Sequence, residues 1–274
     1  MIKRIGFGML CLCLLASCHS DEKAAQARLD RAKALYEEAS YFAAKNEIDS
    51  LRAAYPKEVK VLREALTLMR QVEWKEAERN IAFCDSLIPI RLQEADSVKN
   101  SGFTFEKDSA YEEVGTFVWK QQTVERNVQR CYIRCGVNEK GEMYLASVYY
   151  GAQPINHTGI KLSLKDGISA ETASIPYDGG LNYHFKDLGH TTEVVTYQGD
   201  KGMDAIKLIY ANPKERIKVE YTGGKPYTIY LADADKKALL ATYDLAVLLS
   251  DVNQMIKEKD KATKTIEYLA GKLK

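Results

Sequence analysis

Glycine is missing from residues 9–101, and histidine and cysteine are scarce throughout. Each shortage excludes something. A long stretch without glycine has few turn positions and favours helix. Four histidines, His19, His157, His184 and His190, leave little material for a transition-metal site. Only His184 and His190, in "NYHFKDLGH" with Asp187 between them, are close enough to be considered as a metal pair. Alternation with Tyr183 and Phe185 turns His184 to solvent, so two surface histidines and no metal are expected. Three of the six cysteines, Cys11, Cys13 and Cys18, fall in the first eighteen residues, which leaves Cys84, Cys131 and Cys135, too few for a disulfide scaffold. Cys131 and Cys135 lie four residues apart in a strand-like run. They are thus separated by roughly 13 Å, beyond the ~7 Å that a bridge tolerates, and should be core thiols. The 39 Lys and Arg nearly cancel the 38 Asp and Glu, so no single-sign field points to nucleic acid. No nucleophile elbow, metalloprotease pair, phosphate loop or dinucleotide fingerprint occurs, and no cofactor is implied. After the N-terminus, no apolar run is long enough to span a bilayer.

What is present begins at the N-terminus. Lys3 and Arg4 precede an apolar stretch, Ile5 to Leu15, and small residues then lead into a cysteine. That layout is a secretory signal, too short for a membrane span. Leu15-Ala16-Ser17-Cys18 resembles the lipobox of bacterial lipoproteins. The resemblance implies removal of residues 1–17, lipidation of Cys18 and a membrane anchor of two or more acyl chains. Residues 18–23 would be a tether. No Asp follows Cys18 directly, and Asp21-Glu22 is similar to the export tag of Bacteroidota-type surface lipoproteins. Outer-membrane attachment, with surface exposure as an option, is the expectation.

Residues 24–100 contain an internal repeat of 33 residues. Tyr41, Ala44, Ile48, Leu51 and Pro56 correspond to Trp74, Ala77, Ile81, Cys84 and Pro89. That period and a closing proline predict helical hairpins, and the second helix of each weakly resembles a tetratricopeptide repeat. The apolar stripe slips phase before Tyr41 and again before Trp74. Four short helices are therefore favoured over two long ones.

Residues 103–231 hold thirteen of the seventeen glycines and change to period two. Eight or nine strands are predicted, including segments near 115–119, 182–187, 193–198 and 205–210, with hairpin turns at "NEKGE" and "YTGGKPY". An antiparallel sandwich or curved sheet with one polar face follows. Twelve tyrosines lie between Tyr111 and Tyr230, and Tyr149, Tyr150, Tyr183 and Tyr230 are candidate binding-patch residues. Asp-Ser-apolar triplets resemble an O-glycosylation motif of exported Bacteroidota proteins, with Ser97 and Ser109 as the candidate acceptors.

Residues 233–273 return to helical period. Leu245, Leu248, Val252, Met255, Ala262, Ile266, Leu269 and Leu273 form a seam. It should pack back on the N-terminal helices or form a homodimer through 245–273. The chain thus reads as α+β: a lipid-anchored, non-catalytic envelope protein displaying a β domain on a helical stalk and binding an envelope protein or glycan. A glycan-active hydrolase with an unrecognised carboxylate pair, and an envelope-assembly scaffold using the hairpins, are the alternatives.

Overall fold

A computed structural model describes residues 13–110 and 113–272, with only the backbone given for 13–19. The expected leader, 1–17, lies outside the described residues up to Leu12, as does Leu273 of the seam. Two compact units are present: one comprises residues up to Ser86 together with those from Ile256 onward, the other Leu87–Met255.

The first unit is helical. Its elements are α1 (Cys13–Glu37), α2 (Tyr41–Ala54), the first part of α3 (Val59–Gly102) and the last part of α5 (Asp233–Ala270). Helix α1 takes in residues 18–23, the segment expected as a tether. Leu29, Ala32, Ile48, Leu51, Ala65 and Leu68 pack α1, α2 and α3 together. Ala262 and Leu269 of α5 are buried, and Lys259 of α5 pairs with Asp85 of α3 at 2.6 Å. The C-terminal helix therefore packs on the helical part, as its seam predicts.

Three helices replace the expected four. The first hairpin forms because the chain reverses at Ala39, which adopts a left-handed conformation at φ 56°. Ser40 N–H donates to Leu35 O and Ala39 N–H to Tyr36 O, both at 2.9 Å, which closes the helix end. The equivalent residue of the second repeat is Val72. A β-branched side chain resists positive φ, so α3 runs on. It also runs through Pro89, which was expected to end it, because Cys84 and Ala95 keep its apolar face buried on either side. Ala39 carries the left-handed strain that glycine would not. Ala39→Gly is therefore expected to stabilise the helical unit by about 1 kcal/mol, read as a higher urea midpoint from Trp74 fluorescence.

The second unit holds ten strands in two antiparallel sheets. Six form the order β1 (Phe103–Glu106), β2 (Thr116–Trp119), β3 (Tyr132–Asn138), β4 (Met143–Gly151), β8 (His190–Gln198), β7 (Asn182–Asp187). Four form the order β10 (Tyr227–Tyr230), β9 (Lys218–Thr222), β5 (Gly159–Ser163), β6 (Ser169–Glu171). Both predicted hairpins are present, with Gly141 and Gly223 at positive φ in their turns. The strand expected at 205–210 is instead part of helix α4 (Asp200–Ala211). Its alternation of Ile206, Leu208 and Tyr210 was misleading. Gly202, Ala205, Ile206, Leu208 and Ile209 are the residues buried, and steps of three and four link them along a helix face.

One face of the six-stranded sheet carries Ile133, Cys135, Leu145, Val195 and Tyr197 into a core shared with Ile160, Leu162, Val219 and Tyr221 of the other sheet. Ile206 and Ile209 of α4 and Leu239, Leu245 and Leu249 of α5 complete it. Each such side chain contributes roughly 1.5–3 kcal/mol by leaving water. Cys84, Cys131 and Cys135 are free thiols, and Cys131 is only half-buried. The opposite face of this sheet is not the polar surface expected. Tyr132, Ala146 and Val148 on it are buried, because residues 120–130 fold across it.

Candidate binding cleft

The outer face of the six-stranded sheet forms the floor of a cleft of about 540 Å³. Strand register sets out its rows. Gly136, Tyr144 and Gln198 lie across one end, followed by Arg134, Ala146 and Thr196. Tyr132, Val148, Val194 and Tyr183 form the next row, and Tyr150, Thr192 and Phe185 the one beyond. Because side chains alternate across a strand, every second residue of β3, β4, β8 and β7 reaches this surface while its neighbour enters the core.

One wall is the segment between β2 and β3, held by buried polar side chains. Gln122 donates to Ile133 O at 2.8 Å and to Asp235 Oδ1 at 3.2 Å, and accepts from Cys135 N–H at 3.0 Å. Asn127 donates to Gln121 O at 2.7 Å and Thr123 O at 2.8 Å. Arg130 donates to Asn127 Oδ1 and Asp235 Oδ2, and its guanidinium lies over the Tyr132 ring. Burial raises the Asp235 carboxyl above its ordinary value against the opposing pull of Arg130 and Gln122. So satisfied a loop is a fixed wall, and it presents Val124 and Val128 to the opening. The opposite rim is the β7–β8 hairpin, with Tyr183, Phe185 and Leu188.

Five exposed apolar side chains of this unit line the cleft. Val124, Val128, Tyr183, Phe185 and Leu188 are all exposed, Leu188 by 84%. Such a cluster marks a binding surface rather than ordinary scatter. Within the cleft, Arg134 donates through Nη2 to Glu106 Oε2 at 3.0 Å, while its shielded Nε has no acceptor. Burial is the main cause that pushes the Tyr144 hydroxyl up to about 12, so it stays a neutral donor.

Of the four tyrosines singled out from the sequence, the fold brings Tyr150 and Tyr183 together in this cleft. Tyr149 points the other way into the core, where its hydroxyl donates to Gln153 O at 2.8 Å and its ring meets Tyr227. Tyr230 is exposed on the four-stranded sheet beneath the Arg216 guanidinium. Tyr132, Tyr144 and Arg134 escaped the sequence reading. Their period-two rows were visible, but which rows share a floor depends on strand register.

His184 and His190 do not converge. His190 stacks on Tyr150 at 4.9 Å on the cleft face, while His184 lies against Tyr177 on the other. Among the described residues, no group of three or more His, Cys, Asp or Glu is arranged to hold a metal ion. Ser97 is exposed on α3, and Ser109 lies in an exposed turn after β1.

A second cluster lies beneath the floor. Ser147 Oγ stands 2.9 Å from His157 Nε2, and His157 Nδ1 2.7 Å from Glu193 Oε2. The order resembles a catalytic triad, but Ser147, His157 and Glu193 are all buried on the core face. Their work is structural. Glu193 accepts from the backbone N–H of Ile155, Asn156 and His157, and so folds residues 155–157 around its carboxylate. Burial opposes that charge. Hydrogen bonds from His157 and the three backbone donors prevail, holding the carboxyl at about 2.

Comparison of the chain with protein-family models, curated protein sequences and solved structures finds no match.

Proposed function

We propose that the chain is a lipid-anchored, non-catalytic binding protein of a bacterial outer membrane, held through Cys18 and capturing an envelope component in its β unit. The cleft carries this reading: a pre-formed, aromatic-lined hollow of the size that small ligands occupy, about 300–1,000 Å³, ringed by exposed apolar side chains. Among the described residues, the lining carries the Asp187 carboxylate, and Glu106 is bonded to the lining Arg134. The anchor rests on the Leu15-Ala16-Ser17-Cys18 motif. No described helix is long and apolar enough to cross a membrane.

Two experiments test the proposal. Cys18→Ala is expected to move the protein out of the membrane fraction or leave its leader uncut; unchanged fractionation would remove the anchor. A photo-cross-linking residue at Tyr183 should capture an envelope component in living cells, while the same residue at Tyr230 should not. Capture only from positions 24–100 would instead support the assembly-scaffold alternative.

A further inference from the structure

The cleft is graded along its length. At one end, Thr196 and Gln198 stand beside Arg134 and Tyr144. At the other, Val148 and Val194 make the floor and Tyr183, Phe185 and Leu188 the rim, with Val128 facing them from the loop wall. In this half Val128, Val148, Val194, Phe185 and Leu188 outnumber the hydroxyls of Tyr150 and Thr192, whereas a sugar needs hydrogen-bonding groups along its whole length. An apolar chain is complementary to this half.

Charge decides what the chain carries. Arg130 is committed to Asp235 and Asn127. Arg134 is not fully satisfied: its side chain is 19% exposed, its Nε has no acceptor, and its one carboxylate partner, Glu106, is 42% exposed. Glu106 holds the arginine from a half-exposed position, so a ligand anion can take Glu106's place and complete the arginine's bonding. Asp187 lies at the apolar end beside Leu188. Its charge repels an anionic head there and sets the direction of entry.

On the reading that this cleft is the ligand site, we infer that it holds a single-chain amphiphile with an anionic head, of the fatty-acid class, its head at Arg134 and its chain over Val148 and Val194.

The test is calorimetric titration of the mature chain carrying Cys18→Ala, which needs no competing detergent, with dodecanoate below its micelle concentration. Methyl dodecanoate and a neutral oligosaccharide serve as comparison ligands. Saturable binding of dodecanoate is expected. Arg134→Gln should weaken it by at least about tenfold, as loss of a charge-assisted contact does, and leave the ester unchanged. The rim pair Val128→Asp and Leu188→Asp, exposed and harmless to the core, should weaken acid and ester alike. Equal binding of acid and ester, or no effect of Arg134→Gln, overturns the anionic head. Rim-sensitive binding of the oligosaccharide without the amphiphile overturns the ligand class but keeps the cleft. Amphiphile binding indifferent to the rim pair overturns both.

Discussion

Replacing Glu193 with alanine is expected to cost the β unit about 3–5 kcal/mol, because several buried donors lose their acceptor at once. The carboxylate accepts from Ile155, Asn156 and His157 N–H and meets His157 Nδ1, all in the interior. Alanine leaves those donors facing apolar surroundings, and each unmet donor costs about 1–3 kcal/mol. Trp119 lies in this unit and Trp74 in the other, so fluorescence in a Trp74→Phe background isolates the transition. The urea midpoint should fall by more than about 1 M at ordinary slopes. An unmoved midpoint would show that the loop does not depend on Glu193.

The same carboxylate predicts acid behaviour. Its folded value of about 2 lies below its ordinary 4.5, so the unfolded chain takes up the proton more readily. Glu193 therefore stabilises the fold fully above pH 4.5, and that contribution fades as pH falls towards about 2. At about 1.4 kcal/mol per unit, the gap is worth roughly 3 kcal/mol. Glu193→Gln should flatten the stability profile in this window; a slope equal to that of the parent would contradict the assignment.

Gly224→Ala should be nearly as damaging, from the other side of the same loop. A Cβ at Gly224 would stand 1.9 Å from Ile155 O and 2.5 Å from Asn156 O. These are backbone atoms, and the Glu193 carboxylate and the Lys225 N–H to Ile155 O bond hold them in place. Neither the strand end nor the loop can give cheaply, so a loss of about 3 kcal/mol is expected, at the upper end of ordinary overpacking. The cost is conditional on the loop being pinned. With Glu193→Ala present, residues 155–156 can shift, and the double variant should lose less than the two single losses combined, by about 0.5 kcal/mol or more. Tolerance of alanine at 224 in the parent, or strict additivity, would show that the loop is not held from within.

These two residues illustrate where the sequence stops being readable. In the sequence His157 is one of four scattered histidines. Its partners Ser147 and Glu193, and Tyr197 bonded in turn to Ser147, come from β4 and β8, and nothing in local spacing relates them. The cleft is similar. Tyr150 and Tyr183 were legible as outward-facing rings, but Tyr149 was grouped with them because neighbours on a strand cannot be ranked for exposure without knowing which face the second sheet covers.

The sequence by itself determined the order of helix, sheet and helix, the two hairpins and the C-terminal seam. These rest on periodicity, turn chemistry and short motifs, which act over a few residues. It also held the reason that one repeat bends and the other does not, in the contrast of Ala39 with Val72. The tertiary structure alone decided that 205–210 is helix, that residues 120–130 cover the outer face of the sheet, and that Arg134, Val148 and Val194 share one floor. Those outcomes depend on strand register and on burial against distant elements, and the pairing of β4 with β8 joins residues separated in sequence by two strands of another sheet.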